Sequence, residues 1–449
     1  MAHAISFKHP MMSLPEYDPR VWIVGAGLQG CAIALELAHR GQAVVLLDQD
    51  PLPMNRASLR NEGKIHLGLI YAADESGATA RIQLRGALAF LPLLARWLGQ
   101  EAADALPLST PFAYLVARDS VLAPAELARH FDRLQALYEH WCAEHPEARY
   151  LGQRPARLAW PAARSEHEGL ALAPGESLFS TAERAIDTDA LASAVRAAVL
   201  AHPLIDWRPG RRVSRFARQS GGVSVHGQVL GSSGEVQATF ESHARQVVNA
   251  TWEQRLGLDA SMGMPPAPGW LHRLKYRVIV RLPAGWERLS SVTMVLGRYG
   301  DVVMRPNGTA FVSWYPEGLR GWSEALVPPA DWDGPCRGRV PSPQAQALAA
   351  AILHAADRWY PGLSRAEVLT VDAGAIFAYG RQDVDQRGSG LHARALNGPS
   401  GDARYLSVDS GKLTTAPWYA MQAADVLTGQ QSPWAQAWTD PVPAWTDAP

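Results

Sequence analysis

Two glycine-containing turns, one near each end of the chain, carry residue types that suit an anionic ligand. The first reads "VWIVGAGLQG", in which Gly25, Gly27 and Gly30 follow an apolar run and open a helical one. Gly25 permits a tight turn, Gly27 lets a pyrophosphate approach the helix N-terminus, and Gly30 lets helix and strand pack closely. Asp48 ends the next apolar run, where a carboxylate can accept hydrogen bonds from ribose hydroxyls. This spacing predicts a dinucleotide site, for FAD or NAD, formed by Gly25, Ala26, Gly27, Leu28, Gln29, Gly30 and Asp48.

The second turn lies in "YLSVDSGKLTTAPWYAMQAAD", which reads as a strand, a glycine turn and a helix. A helix N-terminus attracts anions, and the ammonium group of Lys412 would strengthen that attraction. The alternative is a solvated lysine at a helix start, where its charge is mildly unfavourable with the helix dipole. We expect the ligand to be faced by Gly411, Lys412, Leu413 and Thr414.

A third stretch, "NEGKIHLGLIY", has glycines on both sides of a histidine. From the residues alone, Gly63 and Gly68 flanking His66 indicate backbone that runs close under a flat ligand. Here the chain resembles a known family, the FAD-dependent oxidoreductases of the D-amino-acid-oxidase type. The family pattern N-x-G-x-I-H-x-G is met by Asn61, Gly63, Ile65, His66 and Gly68. The nearest branches are the L-2-hydroxyglutarate oxidases and the flavin-linked glycerol-3-phosphate dehydrogenases.

Further segments resemble that family in chain order: "TAERAIDTDAL", "VVNAT" and "SGKLTT". The last is close to the glycine-lysine-leucine-threonine-threonine run of the glycerol-phosphate branch. The resemblance is weak across 100–180 and 317–345. It implies FAD as cofactor, with the first turn holding the ADP half, Thr251 at a strand end nearby, and the turn at 411–415 facing the pyrimidine edge of the isoalloxazine. One departure is Trp252, because the family commonly has glycine after "NAT".

The resemblance also implies roles in catalysis. Hydride that arrives at flavin N5 leaves negative charge at N1 and C2=O, which Lys412 and the helix start would stabilise. His66 could act as a base or merely pack beside the flavin, which we expect to be bound noncovalently rather than through this histidine. The segment "GLHARAL" reads as extended, with His392 and Arg394 on one face. Arg394 suits a carboxylate or phosphate, and an arginine near it holds the anionic group in the glycerol-phosphate branch; His392 could take the proton from an alcohol or ammonium.

These residues predict an FAD-dependent oxidoreductase that takes a hydride from a C–H bond bearing OH or NH2. The substrate would be a small, anionic molecule, and the electrons would pass to O2, a quinone or another acceptor. A flavin-dependent monooxygenase reduced by NAD(P)H is one alternative, although no second G-x-G-x-x-G occurs. A structural flavoprotein subunit of an oxidase complex is another. Further pocket candidates, each more often structural, are Lys275, Tyr276, Arg305, Tyr315, Tyr379 and Arg381.

Composition narrows the class of protein. The 449 residues carry a formal net charge of -1 and no Lys/Arg block, so we expect no nucleic-acid partner. The three cysteines form no CxxC pair or disulfide framework, which favours a reducing, cytoplasmic location, and we expect no metal site. The first twenty residues lack the apolar core of a signal peptide, and no apolar run reaches the ~18 residues of a spanning helix.

The elements that must position these residues begin as strand, helix and strand, which predicts parallel neighbours joined by a right-handed crossover. A meander, a strand-rich middle and a late return strand follow. The expected fold is of the α/β class, with a discontinuous Rossmann-like FAD-binding domain and an inserted α+β substrate-binding domain that contains an antiparallel sheet. The expected ranges are 20–98, 180–265 and 365–430 for the FAD-binding domain, 99–179 and 266–364 for the substrate-binding domain, and 431–449 for a loose tail.

Overall fold

The computed structural model describes residues 16–393 and 397–432. Its strands are β1 Asp18–Val24, β2 Val44–Leu47, β3 Lys64–Ile65, β4 Phe112–Val116, β5 Ala159–Pro161, β6 Ser177–Thr181, β7 Arg184–Ala185, β8 Ile205–Arg208, β9 Arg211–Gln219, β10 Gly222–Leu230, β11 Val236–Asn249, β12 Trp270–Arg281, β13 Ser291–Val295, β14 Gly300–Met304, β15 Thr309–Trp314, β16 Leu319–Ser323, β17 Glu367–Tyr379, β18 Gly398–Gly401 and β19 Tyr405–Asp409. Its helices are α1 Leu28–His39, α2 Ala78–Leu98, α3 Gln100–Asp104, α4 Pro124–Glu144, α5 Thr188–Ala201, α6 Arg255–Ser261, α7 Tyr315–Gly318, α8 Asp333–Cys336, α9 Ser342–Asp357 and α10 Ala416–Thr428.

The first sheet has the strand order β18-β19-β11-β1-β2-β8. β1 runs parallel to both β2 and β11, with Val24 level with Leu47 and Asn249, and β19 runs parallel to β11. The predicted parallel pairing of the first two strands is therefore confirmed. Because β1, β2, β11 and β19 all end at the same edge, the loops that follow them meet there. In open parallel sheets this edge is where ligands bind.

The helices of this unit cover the sheet with apolar side chains. The 12-residue α1 buries nearly its whole length, and it packs against α10 from the far end of the chain. Gly41 follows the end of α1 with a left-handed φ of 80°, a conformation that glycine adopts readily at helix ends. Helix α5 begins at Thr188, because the Asp187 carboxylate accepts hydrogen bonds from the backbone N–H groups of Asp189 and Ala190.

β11 joins the predicted meander to the parallel sheet. Residues 236–249 form one continuous strand, which begins within "EVQATFES" and ends within "RQVVNATW". Its first part pairs antiparallel with β10, and its last part pairs parallel with β1. No glycine or proline separates the two parts, so nothing in the local sequence interrupts the strand. The meander is thus attached directly to the parallel sheet.

The second sheet has the order β16-β12-β15-β14-β13-β4-β6-β5, with β17 also paired to β12. Its pairings are antiparallel apart from β13 with β4. The expected domain ranges stay predictions. Within 365–430, which the sequence assigned to the FAD-binding domain, residues 367–379 pair along β12 of this second sheet. Throughout 16–393 and 397–432, no helix is long and apolar enough to cross a membrane.

Candidate active site

A cavity of about 390 Å³ is lined by residues from both sheets. The loops that follow β1, β2 and β11 line one part of it. The stretch around β3, together with β12 and β13–β15, lines another part, and the turn before α10 also lines the cavity. After the ligands that the sequence predicts, we call the first part the dinucleotide end and the second part the substrate end. The size is within the range of small-molecule and cofactor sites.

The three glycines of the first turn are required for different reasons. Gly25 has a φ of 98°, and a Cβ there would lie 2.6 Å from the Ala250 carbonyl oxygen. A Cβ on Gly30 would lie 1.8 Å from the Gly25 carbonyl oxygen, as the predicted helix–strand packing requires. A Cβ on Gly27 would meet only the Ser58 hydroxyl, at 3.1 Å. Gly25, Gly27, Leu28 and Gln29 line the cavity, whereas Ala26 and Gly30 are not among its lining residues.

Asp48 organises the turn from the end of β2. One carboxylate oxygen accepts a hydrogen bond from Ala26 N at 2.6 Å, and the other accepts from Asp50 N at 2.8 Å. Burial and the neighbouring Asp50 carboxylate raise the pKa of Asp48 to about 6, against the two backbone N–H donors that lower it. Asp48 also lines the cavity, so its carboxylate faces both the turn and the space beside it. Contact with a ribose remains a prediction.

Glycine is needed at positions 63 and 68 for a different reason from the one that the sequence suggested. Both have left-handed φ angles, 76° and 95°. A Cβ on Gly63 would lie 2.1 Å from the Ile186 carbonyl oxygen, and one on Gly68 would lie 2.7 Å from that of Ala80. Neither glycine is among the lining residues, so each permits close packing of backbone on backbone. Asn61 does line the cavity, and its side-chain oxygen accepts from Gly63 N at 2.8 Å.

The late turn is tied to the histidine stretch, although 348 residues separate them. The Thr414 hydroxyl accepts a hydrogen bond from His66 N at 2.9 Å and donates to the Lys64 carbonyl oxygen at 3.3 Å. Gly411 has a φ of 62°, and its N–H donates to Asp409. Gly411, Lys412 and Leu413 line the cavity, whereas the buried Thr414 connects the two stretches. The structure thus brings together residues that the sequence had assigned to one ligand.

His66 is buried between two carboxylates. Its Nε2 lies 3.7 Å from Glu62 Oε1, and its Nδ1 lies 4.0 Å from Glu183 Oε1. Burial lowers the pKa of His66, and the Glu62 carboxylate opposes part of that effect while Lys412 adds to it. The ring is therefore neutral near pH 7 and has the capacity to accept a proton.

Sequence reasoning missed a buried charge cluster next to His66. The Lys64 ammonium lies 2.9 Å from Asp301 Oδ1, donates to the Thr293 hydroxyl and sits 4.2 Å from the centre of the Phe112 ring. Glu62, Lys64 and Asp301 all line the cavity. The available signal was the pair of charged residues, Glu62 and Lys64, inside the motif. Asp301, the partner of Lys64, lies 237 residues away and carried no signal.

Three cations alternate along one face of β12 at the substrate end. Arg273, Lys275 and Arg277 all line the cavity, as the two-residue period of a strand requires. Asp372 on β17 accepts from Arg277 at 2.6 and 3.2 Å. Arg273 donates to the Gly380 carbonyl oxygen at 2.9 Å. The Lys275 ammonium lies 5.9 Å from the centre of the Tyr315 ring.

The remaining pocket candidates divide into two groups. Lys275, Tyr276, Tyr315 and Thr251 line the cavity; the Thr251 hydroxyl donates to the Asn249 side chain at 2.7 Å. The other group is engaged elsewhere, and none of its members is among the lining residues. Arg305 lies 3.4 Å from Asp189 and Arg381 lies 2.9 Å from Glu324, while the Tyr379 ring packs on Phe377.

The prediction that 390–396 is extended is wrong for its first three residues. Gly390–His392 forms one turn of 3-10 helix, initiated by the Ser389 side chain, which accepts from Leu391 N. His392 is nevertheless buried and lines the cavity. Arg394 lies outside the described residues.

Trp252 occupies backbone that favours glycine. Its φ is 54°, in the left-handed region, which is the physical reason why a glycine suits this position. The indole N–H donates to the Ala375 carbonyl oxygen on β17 at 2.9 Å, and the ring meets Phe377 edge-on. Trp252 lines the cavity, so its side chain joins the loop after β11 to the second sheet beside the site.

A charge network closes the dinucleotide end. Arg56 lies 2.9 Å from Asp50, 2.8 Å from Glu253 and 2.6 Å from Asp333 of α8. Arg337 lies 2.9 Å from Asp50 as well. Asp50, Arg56 and Glu253 line the cavity. The segment 317–345, where the family resemblance was weak, therefore contacts the loops after β2 and β11.

The dinucleotide end fits the cofactor that the resemblance implied. Gln29 is 5 % exposed and lines the cavity, and within the described residues neither atom of its side-chain amide has a hydrogen-bond partner. A buried amide of this kind calls for a polar ligand. The N-terminus of α1, the open face of Gly27 and the Asp48 carboxylate supply the donors and acceptor that a nucleotide needs.

Comparison with known proteins agrees with this site. The family described as DAO, FAD dependent oxidoreductase, matches residues 20–398. A 170-residue stretch is 30 % identical to the tRNA 5-methylaminomethyl-2-thiouridine biosynthesis bifunctional protein MnmC of Burkholderia lata. That stretch is 38 % of this chain and 23 % of MnmC, so the match spans about a quarter of the relative's length.

Two solved structures share the fold over nearly the whole chain. Glycine oxidase from Geobacillus kaustophilus has a TM-score of 0.63 at 18 % identity, covering 92 % of this chain and 95 % of that one. L-alpha-glycerophosphate oxidase from Mycoplasma pneumoniae, solved with FAD bound, has a TM-score of 0.57 at 16 % identity, covering 91 % and 94 %. The predicted fold class and FAD are thereby confirmed, and the specific branch is not. The chain belongs to the DAO family of FAD-dependent oxidoreductases.

Proposed function

We propose that this FAD-dependent oxidoreductase oxidises the C–H bond beside a hydroxyl or amino group of a small, anionic molecule. The observation that carries the proposal is the continuity of one cavity. Its lining includes the glycine turn, Lys412 and the cationic face of β12. A dinucleotide along the first part leaves the second part for a substrate.

The cofactor would be held at both ends by residues of the first sheet's loops. Gly25–Gln29, Asp48 and Thr251 would hold the ADP half, and the turn at 411–413 would face the flavin. Bound FAD supplies the acceptor for a hydride and passes the electrons on to O2, a quinone or another acceptor. Lys412 and the helix start behind it stabilise negative charge that develops at that position.

Lys275 is the described residue best placed to hold an anionic group. Within the residues that the structure describes, no carboxylate lies within 4.0 Å of its ammonium, unlike Arg277 and Lys64, which are paired. Lysine recognises a carboxylate or phosphate as a point charge. Arg394 keeps the same candidate role from the sequence.

His66 is the group we assign to proton transfer. Its neutral imidazole accepts a proton from the substrate's hydroxyl or ammonium as the C–H bond gives up its hydride, and Glu62 stabilises the resulting imidazolium. His392, also buried at the cavity, is the second candidate for this step.

Anaerobic titration of the purified yellow protein tests the proposal. The panel comprises glycine, iminodiacetate, L-proline, 2-hydroxyglutarate and glycerol 3-phosphate, with NADPH in a parallel sample. We expect bleaching of the flavin by one chemical class of the panel and none by NADPH. Bleaching by NADPH alone would replace the proposal with the monooxygenase. No bleaching by any compound, together with a requirement for a second chain, would replace it with the structural subunit.

A further inference from the structure

Glu62 is a charged residue of the cavity that the family motif does not specify. It occupies the open position between Asn61 and Gly63 in N-x-G-x-I-H-x-G. Its side chain is 23 % exposed and lines the cavity. Among the described residues, its one ion-pair contact within 4.0 Å is His66, at 3.7 Å, which is too long for a hydrogen bond. The carboxylate is thus half-buried, and no described residue donates a hydrogen bond to it within 3.5 Å.

Glu62 is ionised. Although burial favours the neutral acid, the neighbouring His66 ring and the ammonium groups of Lys412 and Lys275 hold the pKa of Glu62 well below its ordinary value. Lys64 pairs directly with Asp301, and Arg277 pairs directly with Asp372. Among the described residues, by contrast, no lysine or arginine lies within 4.0 Å of the Glu62 carboxylate and no carboxylate lies within 4.0 Å of the Lys275 ammonium, although both side chains face the same cavity.

We propose that Glu62 is the specificity-determining residue that selects substrates with a cationic amino group on the reacting carbon, while Lys275 holds the anionic group of the same molecule. This rests on the proposed oxidoreductase function and decides between its two substrate classes. An ammonium on the substrate would donate a charged hydrogen bond to a carboxylate that has no direct donor among the described residues. A hydroxyl offers one neutral hydrogen bond, which is weaker, so a hydroxy acid of the same carbon skeleton binds less well.

The alternative is that Glu62 acts only on His66, through the stabilisation of the imidazolium that the proposed function already includes. In that case its removal would impair proton transfer for amino and hydroxy substrates alike. If Glu62 instead selects the amino substrate, its removal changes the ratio between the rates or affinities for the amino and the hydroxy substrate. The ratio is therefore the informative measurement, and comparison of matched molecules isolates it.

The experiment uses the FAD-loaded protein and matched pairs, glycine with glycolate and alanine with lactate in both enantiomers. Two quantities are measured for each pair: the anaerobic bleaching rate, and the dissociation constant from the change in flavin absorbance before bleaching. Glu62→Gln is compared with Glu62→Asp, which keeps the charge, and with Lys275→Met. FAD content is measured for each variant.

We expect Glu62→Gln to reduce the preference for the amino over the hydroxy member by about tenfold or more, the loss of one charged hydrogen bond. Glu62→Asp should restore part of that preference. Lys275→Met should weaken both members of a pair by a similar factor. An equal loss for both members in Glu62→Gln would show that Glu62 acts through His66, which overturns the inference.

Failure of the inference is distinguishable from failure of the proposed function. If the unaltered protein is bleached by hydroxy acids and not by amino acids, the function stands and the role of Glu62 falls. If neither class bleaches the flavin or perturbs its absorbance, both fall together.

Discussion

The two ends of the cavity are built on different principles. At the dinucleotide end, the site is formed mainly by backbone: the glycine turn and the N-terminus of α1 face the cavity, and Asp48 holds the turn by accepting hydrogen bonds from backbone N–H groups. At the substrate end, the site is formed mainly by side chains. Glu62, Lys275, Arg277 and Asp301 come from the histidine stretch and the second sheet.

This difference shows why the two ends are visible to different degrees in the sequence. Backbone sites need glycine at particular spacings, which a short motif displays. Side-chain sites depend on which charges pair, and the partners come from distant strands. Lys64 and Asp301 are 237 residues apart. The ends should therefore respond differently to substitution.

Gly27→Val should have the largest effect, and only at the dinucleotide end. The Gly27 backbone is in an extended conformation that valine tolerates, so the substitution adds bulk without backbone strain. We expect purified protein without yellow colour and with less than about a tenth of stoichiometric FAD, because the pyrophosphate approach is blocked. Absorbance at 450 nm and far-ultraviolet circular dichroism measure this. Retained FAD would remove the glycine turn from the cofactor site.

Lys412→Met tests the late glycine turn, which lines the same cavity as both ends. FAD should remain bound, but kcat/KM should fall roughly hundredfold, because a preorganised positive charge is lost where negative charge develops. The midpoint potential of the flavin should fall by roughly 30 mV, equivalent to ~1.4 kcal/mol for two electrons. Lys275→Met is the matched control, since it should raise KM with little change of potential. A potential that stays constant in Lys412→Met would place that ammonium away from the flavin.

Asp48 should make the free energy of unfolding of the FAD-free protein depend on pH. Its pKa is raised from 3.8 to about 6 in the folded protein, so the folded state keeps its proton to higher pH than the unfolded chain. Stability from this group is therefore greatest below pH 4 and is lost as pH rises through 6, by at most about 3 kcal/mol. Urea unfolding of Asp48→Asn at pH 4 and 7 should show a smaller difference between the two pH values than the unaltered protein. Equal differences would mean that Asp48 titrates normally.

Arg337→Ala should weaken the ion-pair network that closes the dinucleotide end. It removes the contact with Asp50, which is 1 % exposed, and we expect a loss of about 1–3 kcal/mol in stability and faster FAD release. Arg339→Ala is the matched control, because Arg339 is 61 % exposed and lies 3.7 Å from Asp333. FAD fluorescence on dilution measures the release. The same release rate in both variants would contradict a closing role for Arg337.

Trp252→Phe should have the smallest effect. It keeps an aromatic ring against Phe377 but loses the hydrogen bond to Ala375, which contributes about 1 kcal/mol. Thermal unfolding measures the change, and Trp270→Phe serves as control because its 3.4 Å hydrogen bond is exposed. A larger loss in the control would mean that the contact of Trp252 with β17 contributes little.

Much of the dinucleotide end could be predicted from the sequence, and each prediction that was wrong has an identifiable physical cause. The strand–turn–helix was predicted, and the fold places Gly25, Gly27 and the late turn at Lys412 at one cavity, while Gly30 packs the helix against the strand. Gly63 and Gly68 were expected to lie under a ligand. A sequence does not distinguish a glycine that lets a ligand approach the backbone from one that lets another backbone segment approach. The turn at Gly390–His392 was expected as extended because Ser389, which initiates it, acts through a side-chain hydrogen bond that alternation ignores.

The sequence alone determined the family, the cofactor and the parallel pairing of the first two strands, because these follow from local backbone requirements repeated at short spacings. Only the tertiary structure decided which charges remain available at the substrate end. Arg277 and Lys275 are equivalent in the strand pattern, yet one is neutralised by Asp372 and the other is not. That distinction arises from the pairing of β12 with β17, and long-range pairing of this kind leaves no mark on either strand's own sequence.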